Sequence, residues 1–440
     1  MELKDIDIIS LGCSKNLVDT ERLMRMLEKL GYVCHFDPEQ PQAPILVINT
    51  CGFIGDAKEE SIHTILANVQ RKKAKKNRLE KLYVMGCLSQ RYMQELTDEI
   101  PEVDGWYGKF DYMGIIDRLG STKEHSESRE MLIERTLTTP SHYAYLKISE
   151  GCNRMCSYCA IPLITGRHTS RPMEELIREA EWLRDQGVKE LNVIAQDLSS
   201  YGLDLYKEHK LPELVERLAG IEGIRWIRLH YAYPTDFPDA LLDVMAKHEN
   251  VCKYLDIALQ HCTSHMLSMM RRHINREEQD ALIRKIRERV PGICLRTTLM
   301  VGHPGETEED FEELKNWVKA MRFDRMGAFA YSDEEGTYAN RHYKDDIPEE
   351  VKQRRLSELM AIQQDISAEL MAKKVGQKLL VVIDREEDGL WVGRTEFDSP
   401  EVDCEVLIDV QGTKDNIQIG EFYHVIITKA EEFDLYGRIC

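Results

Sequence analysis

Residues 143–172 read YAYLKISEGCNRMCSYCAIPLITGRHTSRP. A β-rich run, YAYLKI, leads into a loop that carries Cys152, Cys156 and Cys159 at CxxxCxxC spacing. Three thiolates this close in sequence can hold three corners of a cubane iron–sulfur cluster and leave the fourth iron open to a substrate or cofactor. A zinc knuckle is the bland alternative, but it usually shows paired CxxC motifs and four ligands. Here no fourth Cys or His lies at knuckle spacing, and Tyr158 precedes the last cysteine. Loops that follow strands build the active sites of (βα) barrels, so a cysteine loop directly after a strand predicts a barrel with its chemistry at the mouth.

Five more β-rich runs follow: ELNVIA, IRWIRLH, YLDIAL, ICLRTTLMV and RMGAFAY. Helical patterns such as EELIREAEWLRDQG and TEEDFEELKNWVKAM separate them. Six such units over residues 138–372 predict an open (βα)6 partial TIM barrel, ended by the helical stretch PEEVKQRRLSELMAIQQDISAELMAKK. Gln196 and Asp197 follow the second strand, Gln260 the fourth, and Gly302, Pro304 and Gly305 the fifth. Thr307 to Asp310 has the spacing of a helix capping box. Each of these also reads as an ordinary strand end or helix start. Arg296 lies within the fifth strand, and Arg167 and Arg171 are basic side chains near the mouth.

Residues 1–137 alternate strand and helix patterns: IDIISLG, ILVINT and KLYVMG, each followed by a helical stretch. This predicts a parallel sheet covered by helices. Cys13, Cys51 and Cys87 each sit just beyond one of those strands. The carboxyl ends of neighbouring parallel strands share one edge, so three thiols distant in sequence can converge there. The alternative is three unrelated buried cysteines acting as small hydrophobes. Cys34, Cys252, Cys262, Cys294, Cys404 and Cys440 show no ligand spacing and read as packing or surface thiols. Ser121–Glu130 is polar and reads as a loop or linker. Residues 373–440 show five short strands, the size and rhythm of an OB-like barrel. The expected fold is therefore α/β: an N-terminal parallel α/β sheet domain, an open partial barrel and a small five-stranded β-barrel.

With 77 Asp+Glu against 58 Lys+Arg, the 440-residue chain carries a net charge of −19, which disfavours non-specific nucleic-acid binding. The start, MELKDIDIISLGC, lacks the basic and apolar regions of a signal peptide, and no run approaches the length of a membrane span. A cytoplasmic protein without membrane contact is expected, its twelve cysteines serving as thiols or metal ligands rather than disulfides.

The CxxxCx-aromatic-C loop resembles the signature of the radical S-adenosylmethionine (SAM) superfamily. The resemblance implies that Cys152, Cys156 and Cys159 hold a 4Fe–4S cluster whose open iron chelates the methionine part of SAM. Reductive cleavage of the S–C5′ bond then gives a 5′-deoxyadenosyl radical. It also puts Gln196 and Asp197 at the contact to the methionine amine, Gln260 at the ribose, Gly302 at the strand end lining SAM and Arg296 within reach of its carboxylate.

The strings SLGCSKNLVDTE, INTCGFI and MGCLSQR are similar to the N-terminal domain of the methylthiotransferases. That family joins such a domain to a radical SAM core and a C-terminal TRAM domain, so the resemblance covers essentially the whole chain. It implies that Cys13, Cys51 and Cys87 hold a second 4Fe–4S cluster, whose open iron carries the sulfur to be transferred. FAYSDEEGTYA, DLYGRI and the string around Cys13 look like the RimO branch, which modifies ribosomal protein uS12, rather than the branch that modifies tRNA. The target is then the unactivated β-carbon of an aspartate, in free uS12 or in the assembled small subunit. One SAM supplies the methyl group and a second the radical. An electron donor such as flavodoxin or ferredoxin is implied, and the N-terminal sheet edge is expected to face the barrel mouth.

Charge supports the same branch. Val375–Cys440 carries 15 acidic and 6 basic side chains, a net of −9, which suits a basic ribosomal protein and argues against stable tRNA binding. The run RKKAKKNR (Arg71 to Arg78) cuts the other way. It reads first as a solvated helix end, and otherwise as a contact to ribosomal RNA or tRNA. The competing functions are a tRNA adenosine methylthiotransferase and, less well supported, a non-catalytic iron–sulfur electron carrier. An open barrel and polar strand ends are superfluous for the latter.

Overall fold

The computed structural model describes residues 4–53, 55–74, 78–120, 133–409 and 417–440. The Ser121–Glu130 linker and part of the Arg71–Arg78 run lie outside the described residues.

The N-terminal unit contains β1 (Asp5–Ser10), α1 (Ser14–Lys29), β2 (Val33–Phe36), β3 (Ile45–Thr50), α2 (Gly55–Lys73), β4 (Lys81–Gly86), α3 (Cys87–Glu99), β5 (Gly105–Trp106) and α4 (Tyr112–Leu119). The strands form a parallel sheet in the order β2-β1-β3-β4-β5. Apolar side chains alternate between its faces, as period-2 strands require. Ile8, Leu23, Leu27 and Met85 pack on one side, and Leu46, Ile48, Ile65 and Val84 on the other. Pairing of Ser10 with Asn49 and of Thr50 with Gly86 brings the three strand ends level. The residues that follow them, Cys13, Cys51 and Cys87, therefore share one edge.

Six parallel strands form the central sheet: β6 (Tyr143–Lys147), β9 (Glu190–Ile194), β10 (Trp226–Ala232), β11 (Val251–Ile257), β12 (Cys294–Val301) and β13 (Arg325–Ala330), the numbers β7 (Ser149–Glu150) and β8 (Thr169–Ser170) belonging to a small antiparallel pair. Their order, β13-β12-β11-β10-β9-β6, leaves the barrel open as expected. Leu191, Val193, Ile227, Leu229, Leu295 and Leu299 face the surrounding helices in one continuous core. The intervening residues are polar, among them Glu190, Asn192, Arg228, His230 and Asp256, all buried.

The C-terminal unit is a closed barrel of β14 (Lys378–Glu387), β15 (Leu390–Thr395), β16 (Val406–Asp409), β17 (Phe422–Ala430) and β18 (Leu435–Ile439). It sits under the starting ends of the central strands. Arg394 pairs with Glu190 at 2.9 Å, Arg325 with Asp398 at 2.5 Å, and Tyr254 donates to Asp403 at 2.8 Å. Trp226, Cys252, Tyr254 and Cys294 pack with Val382 across this junction. Part of the acidity of Val375–Cys440 is thus spent internally. Asp384, Asp398, Asp403 and Glu421 face Arg394, Arg325, Arg296 and Lys189. Glu386, Glu387, Asp388, Glu431 and Glu432 are exposed, with Glu387 paired to Arg385 and Glu431 to Lys429.

Candidate active site

The cysteine loop after β6 is pinned from several strand ends at once. Ser157 receives a hydrogen bond at its carbonyl from Ala339 N–H (2.7 Å), donates its own N–H to Met270 O (3.0 Å), and its hydroxyl meets His303 Nε2 at 3.0 Å. Cys156 Sγ lies 3.5 Å from both Tyr233 Oη and Arg272 Nη1. Arg272 is buried, stacks 4.1 Å from the Tyr233 ring centre and also donates to Tyr158 Oη. A fixed guanidinium beside three thiols supplies the positive field that thiolates need. Gly151, at φ +74°, lets the loop press against the Arg167 carbonyl, where a Cβ would collide.

Glycines also explain how the other three cysteines meet. A Cβ on Gly12 (φ +92°) would lie 2.7 Å from Cys51 Cβ, and one on Gly52 2.7 Å from Leu88 N and 2.8 Å from Cys87 C. Gly12, Gly52 and Gly86 each adjoin one of the three cysteines, a signal present in the sequence that spacing between cysteines alone does not reveal. Asn16 ties the loops together: its amide donates to Leu11 O and Thr50 O, and its carbonyl oxygen lies 3.5 Å from Cys87 Sγ. Cys51 is held through both its N–H and its carbonyl by Ser61.

The two cysteine sets adjoin each other. Cys87 packs with Ala160 and Ile164, just past Cys159. Between them lies a buried ion network. Lys109, 2% exposed, donates to Glu150 at 3.1 Å and faces Asp19 at 3.6 Å, while Lys147 pairs with both Asp19 and Glu150. Tyr112 donates to Asp19 at 2.6 Å. At the far side of the mouth, Glu334 clamps Lys58 and Arg91 of the N-terminal unit, both at 2.9 Å. These charged anchors were invisible in the sequence, where Lys and Asp read as surface residues.

The thiols differ in exposure and in charge environment. Cys13 is exposed, Cys51, Cys87 and Cys156 are buried, and Cys152 and Cys159 lie between. Burial pushes the Cys152 thiol up to about 11 and the Cys87 thiol up to about 12, and neighbouring cysteines add to both. Burial, then Cys156 and Cys152, raise Cys159 as well. For Cys13 burial is outweighed by Lys15, the Asn16 N–H and Lys109, and its thiol falls below the ordinary range. Thiols that raise one another when buried need a cation to become thiolates together. Among the described residues no three His, Cys, Asp or Glu side chains converge as ligands of one metal ion.

The remaining predicted residues occupy varied places. Gln196 donates to Glu150 at 2.9 Å and leaves a buried Oε1 without a partner, aimed beside the cysteine loop. Asp197 is engaged by Arg154 Nε (2.7 Å), Ser199 N–H and Ser200 Oγ. Gln260, at φ +69°, uses its backbone to bridge Thr298 and Met300. Gly302, at φ +73°, donates its N–H to Glu306 and abuts Lys352. Thr307 and Asp310 form the expected capping box. Arg296 is not brought to the cysteines. It lies near the start of β12, about 20 Å of strand below Gly302, and pairs with Asp256 (3.2 Å) and Asp403 (3.3 Å) in the floor. Arg171 is likewise structural, half-buried and paired with the buried Glu179 at 2.6 Å, whereas Arg167 stays exposed. Cys262 is fully buried in the central core.

Comparison with known proteins decides the family. The radical SAM superfamily matches residues 146–318, the family described as "Uncharacterized protein family UPF0004" residues 5–108, and the TRAM domain residues 375–440. The chain is 62% identical over 439 residues to "Ribosomal protein uS12 methylthiotransferase RimO" of Bacteroides fragilis, covering 100% of both chains, and 58% identical over 440 residues to the protein of that name from Porphyromonas gingivalis, again covering 100% of both.

The chain belongs to the RimO family of radical SAM methylthiotransferases.

Solved structures show the fold alone. The radical SAM methyltransferase TsrM from Kitasatospora setae, with tryptophan and a SAM analogue bound, superimposes with a TM-score of 0.53 at 15% identity, over 74% of this chain and 72% of that one. OxsB with aqua-cobalamin and SAM bound gives 0.50 at 11% identity, over 82% and 56%. RimO membership brings SAM and 4Fe–4S chemistry with it.

Proposed function

We propose that this RimO-family chain is the methylthiotransferase of ribosomal protein uS12, adding a methylthio group to the β-carbon of an aspartate. The observation that carries it is 62% identity along the full chain to an enzyme of that name, joined to two cysteine trios that meet where Cys87 packs against the segment just past Cys159. We assign Cys152, Cys156 and Cys159 as holders of one 4Fe–4S cluster and Cys13, Cys51 and Cys87 as holders of a second. Bound there, the clusters supply the electron that cleaves SAM and the site that presents sulfur.

The chain's own residues do the rest. Arg272 and Arg154 balance the charge of the first trio, and Lys109 that of the second. Gln196, with a vacant buried acceptor, meets the methionine amine, with Asp197, Gln260 and Gly302 around it. Arg296 is left out of the SAM contacts, since its guanidinium is committed to the floor. The N-terminal sheet edge closes over the mouth, holding the two trios at fixed separation and excluding water from a reactive carbon radical.

Residues 1–137, 138–372 and 373–440 form the three domains of this reading, supported by the separate cores of each. An external electron donor of the flavodoxin or ferredoxin kind, a cytoplasmic location and the absence of stable tRNA binding complete it. Among the described residues no helix is long and apolar enough to cross a membrane.

The test is anaerobic reconstitution with iron, sulfide, reductant and SAM, followed by mass spectrometry of uS12 and of bulk tRNA. The expected result is a mass gain on uS12 alone. Modification of tRNA with uS12 unchanged would overturn the assignment.

A further inference from the structure

Lys15 stands on the first turn of α1, two residues after Cys13. Its side chain is buried, at 9% exposure. Among the described residues its ammonium makes no hydrogen bond and no ion pair; it rests 3.3 Å from the centre of the Tyr231 ring. An ammonium on a largely buried side chain, backed by a ring face and facing no carboxylate partner, leaves an open side that an anion arriving from outside can fill. Tyr231 itself is held at φ +66° near the upper end of β10, a strained backbone for a non-glycine residue and one concentrated at functional sites.

Among the described residues no carboxylate is left free to pair with it. The charged or titratable groups whose fields reach Lys15 are Cys13 on its own element, His230 from β10 and Asp256 from β11. Asp256 is already bonded to Arg296 at 3.2 Å. His230 is buried, bonded to Asn192, and held neutral by burial and by nearby cations. The ammonium therefore stands between the Cys13 trio and the barrel interior, where the substrate carbon must be placed.

We propose that Lys15 receives a carboxylate, and that this carboxylate is the side chain of the aspartate being modified, with Tyr231 as the wall behind it. The inference rests on the uS12 reading above. Anchoring the carboxylate fixes the β-carbon one bond away, so that its hydrogen faces the SAM side while the sulfur side lies beyond Cys13. That is a positional demand which an aspartate can meet and an asparagine, lacking the charge, meets poorly.

The experiment uses full-length, anaerobically reconstituted enzyme and its Lys15→Gln variant. Equilibrium binding is measured for recombinant uS12, for uS12 with asparagine at the target position, and for SAM, with iron counted in parallel. Wild-type enzyme is expected to prefer the aspartate form by about tenfold or more, and Lys15→Gln to erase that preference while keeping its iron and its affinity for SAM. A preference that survives in Lys15→Gln overturns the proposal. So does a loss of SAM affinity with the preference intact, which would assign Lys15 to the methionine carboxylate, or a loss of iron, which would assign it to the neighbouring cysteines. Failure of the parent reading looks different: wild-type enzyme would cleave SAM yet neither bind nor modify uS12.

Discussion

The two ends of the central barrel are built from the same residue types and behave in opposite ways. At the floor, Glu190 accepts from Arg228 and Arg394, and Arg394 also reaches Asp384. None of the polar atoms of Glu190, Arg228 or Arg394 lacks a partner. At the mouth, Gln196 Oε1 and Arg154 Nη2 are buried without a partner, and among the described residues the Lys15 ammonium has the Tyr231 ring against it and no carboxylate. Charge buried and fully paired is architecture. Arg325 Nε is an unpartnered atom at the floor as well, so a buried polar atom without a partner points to a ligand only where it also lines the mouth.

Substitutions at the two ends should therefore fail in different ways. The largest effect is expected at the mouth: Cys156→Ala should drop SAM cleavage to background without unfolding the chain, as read by 5′-deoxyadenosine formation and circular dichroism. Retained cleavage would contradict the ligand assignment. Next is the floor. Glu190→Ala leaves two guanidinium groups buried without their carboxylate and should cost about 3–5 kcal/mol of stability in denaturant unfolding. A wild-type unfolding curve would show that the floor is not sealed by this ion cluster.

Smaller effects sharpen the contrast within the mouth. Gly12→Ala forces φ +92° on a residue with a Cβ and drives it into Cys51, for about 1–3 kcal/mol, and should lower iron content together with stability. Intact iron would mean that close approach of these loops is not required. The smallest concerns Asp310. Burial would raise its carboxyl, but His265, Thr263 and Thr307 hold it down at about 2. Its stabilisation is full above the ordinary carboxylate range and disappears as pH falls from about 4 through about 2. Asp310→Asn should cost about 1–2 kcal/mol at neutral pH, the gap from wild type closing in acid. A gap independent of pH would trace the loss to the capping geometry alone.

Much of this was legible because parallel strands announce themselves. YAYLKI and the five runs after it are all strands, and each cysteine of both trios follows a strand end. What escaped had physical reasons. β2 is a half-exposed edge strand and β5 has only two residues, too little pattern to read. Lys109, Arg135 and Glu179 are charged residues that sequence places in solvent; they are buried because partners from distant segments neutralise them. The acidity of the C-terminal barrel was read as a face toward a basic partner, yet Asp384, Asp398 and Asp403 turn inward to the floor. Charge counts report sign and not direction. Arg296 shows the same limit, since a strand position tells which face a side chain takes but not how far along the barrel axis its partners lie.

Iron and sulfide quantification with Mössbauer spectroscopy, on anaerobically reconstituted wild-type chain and on a variant with Cys13, Cys51 and Cys87 all replaced by alanine, tests the assignment of two cluster sites most directly. Two cubane sites predict about eight irons per wild-type chain, and about four, still of 4Fe–4S type, once the N-terminal trio is gone. Equal iron in both proteins would leave that trio without a cluster and the account without its sulfur site.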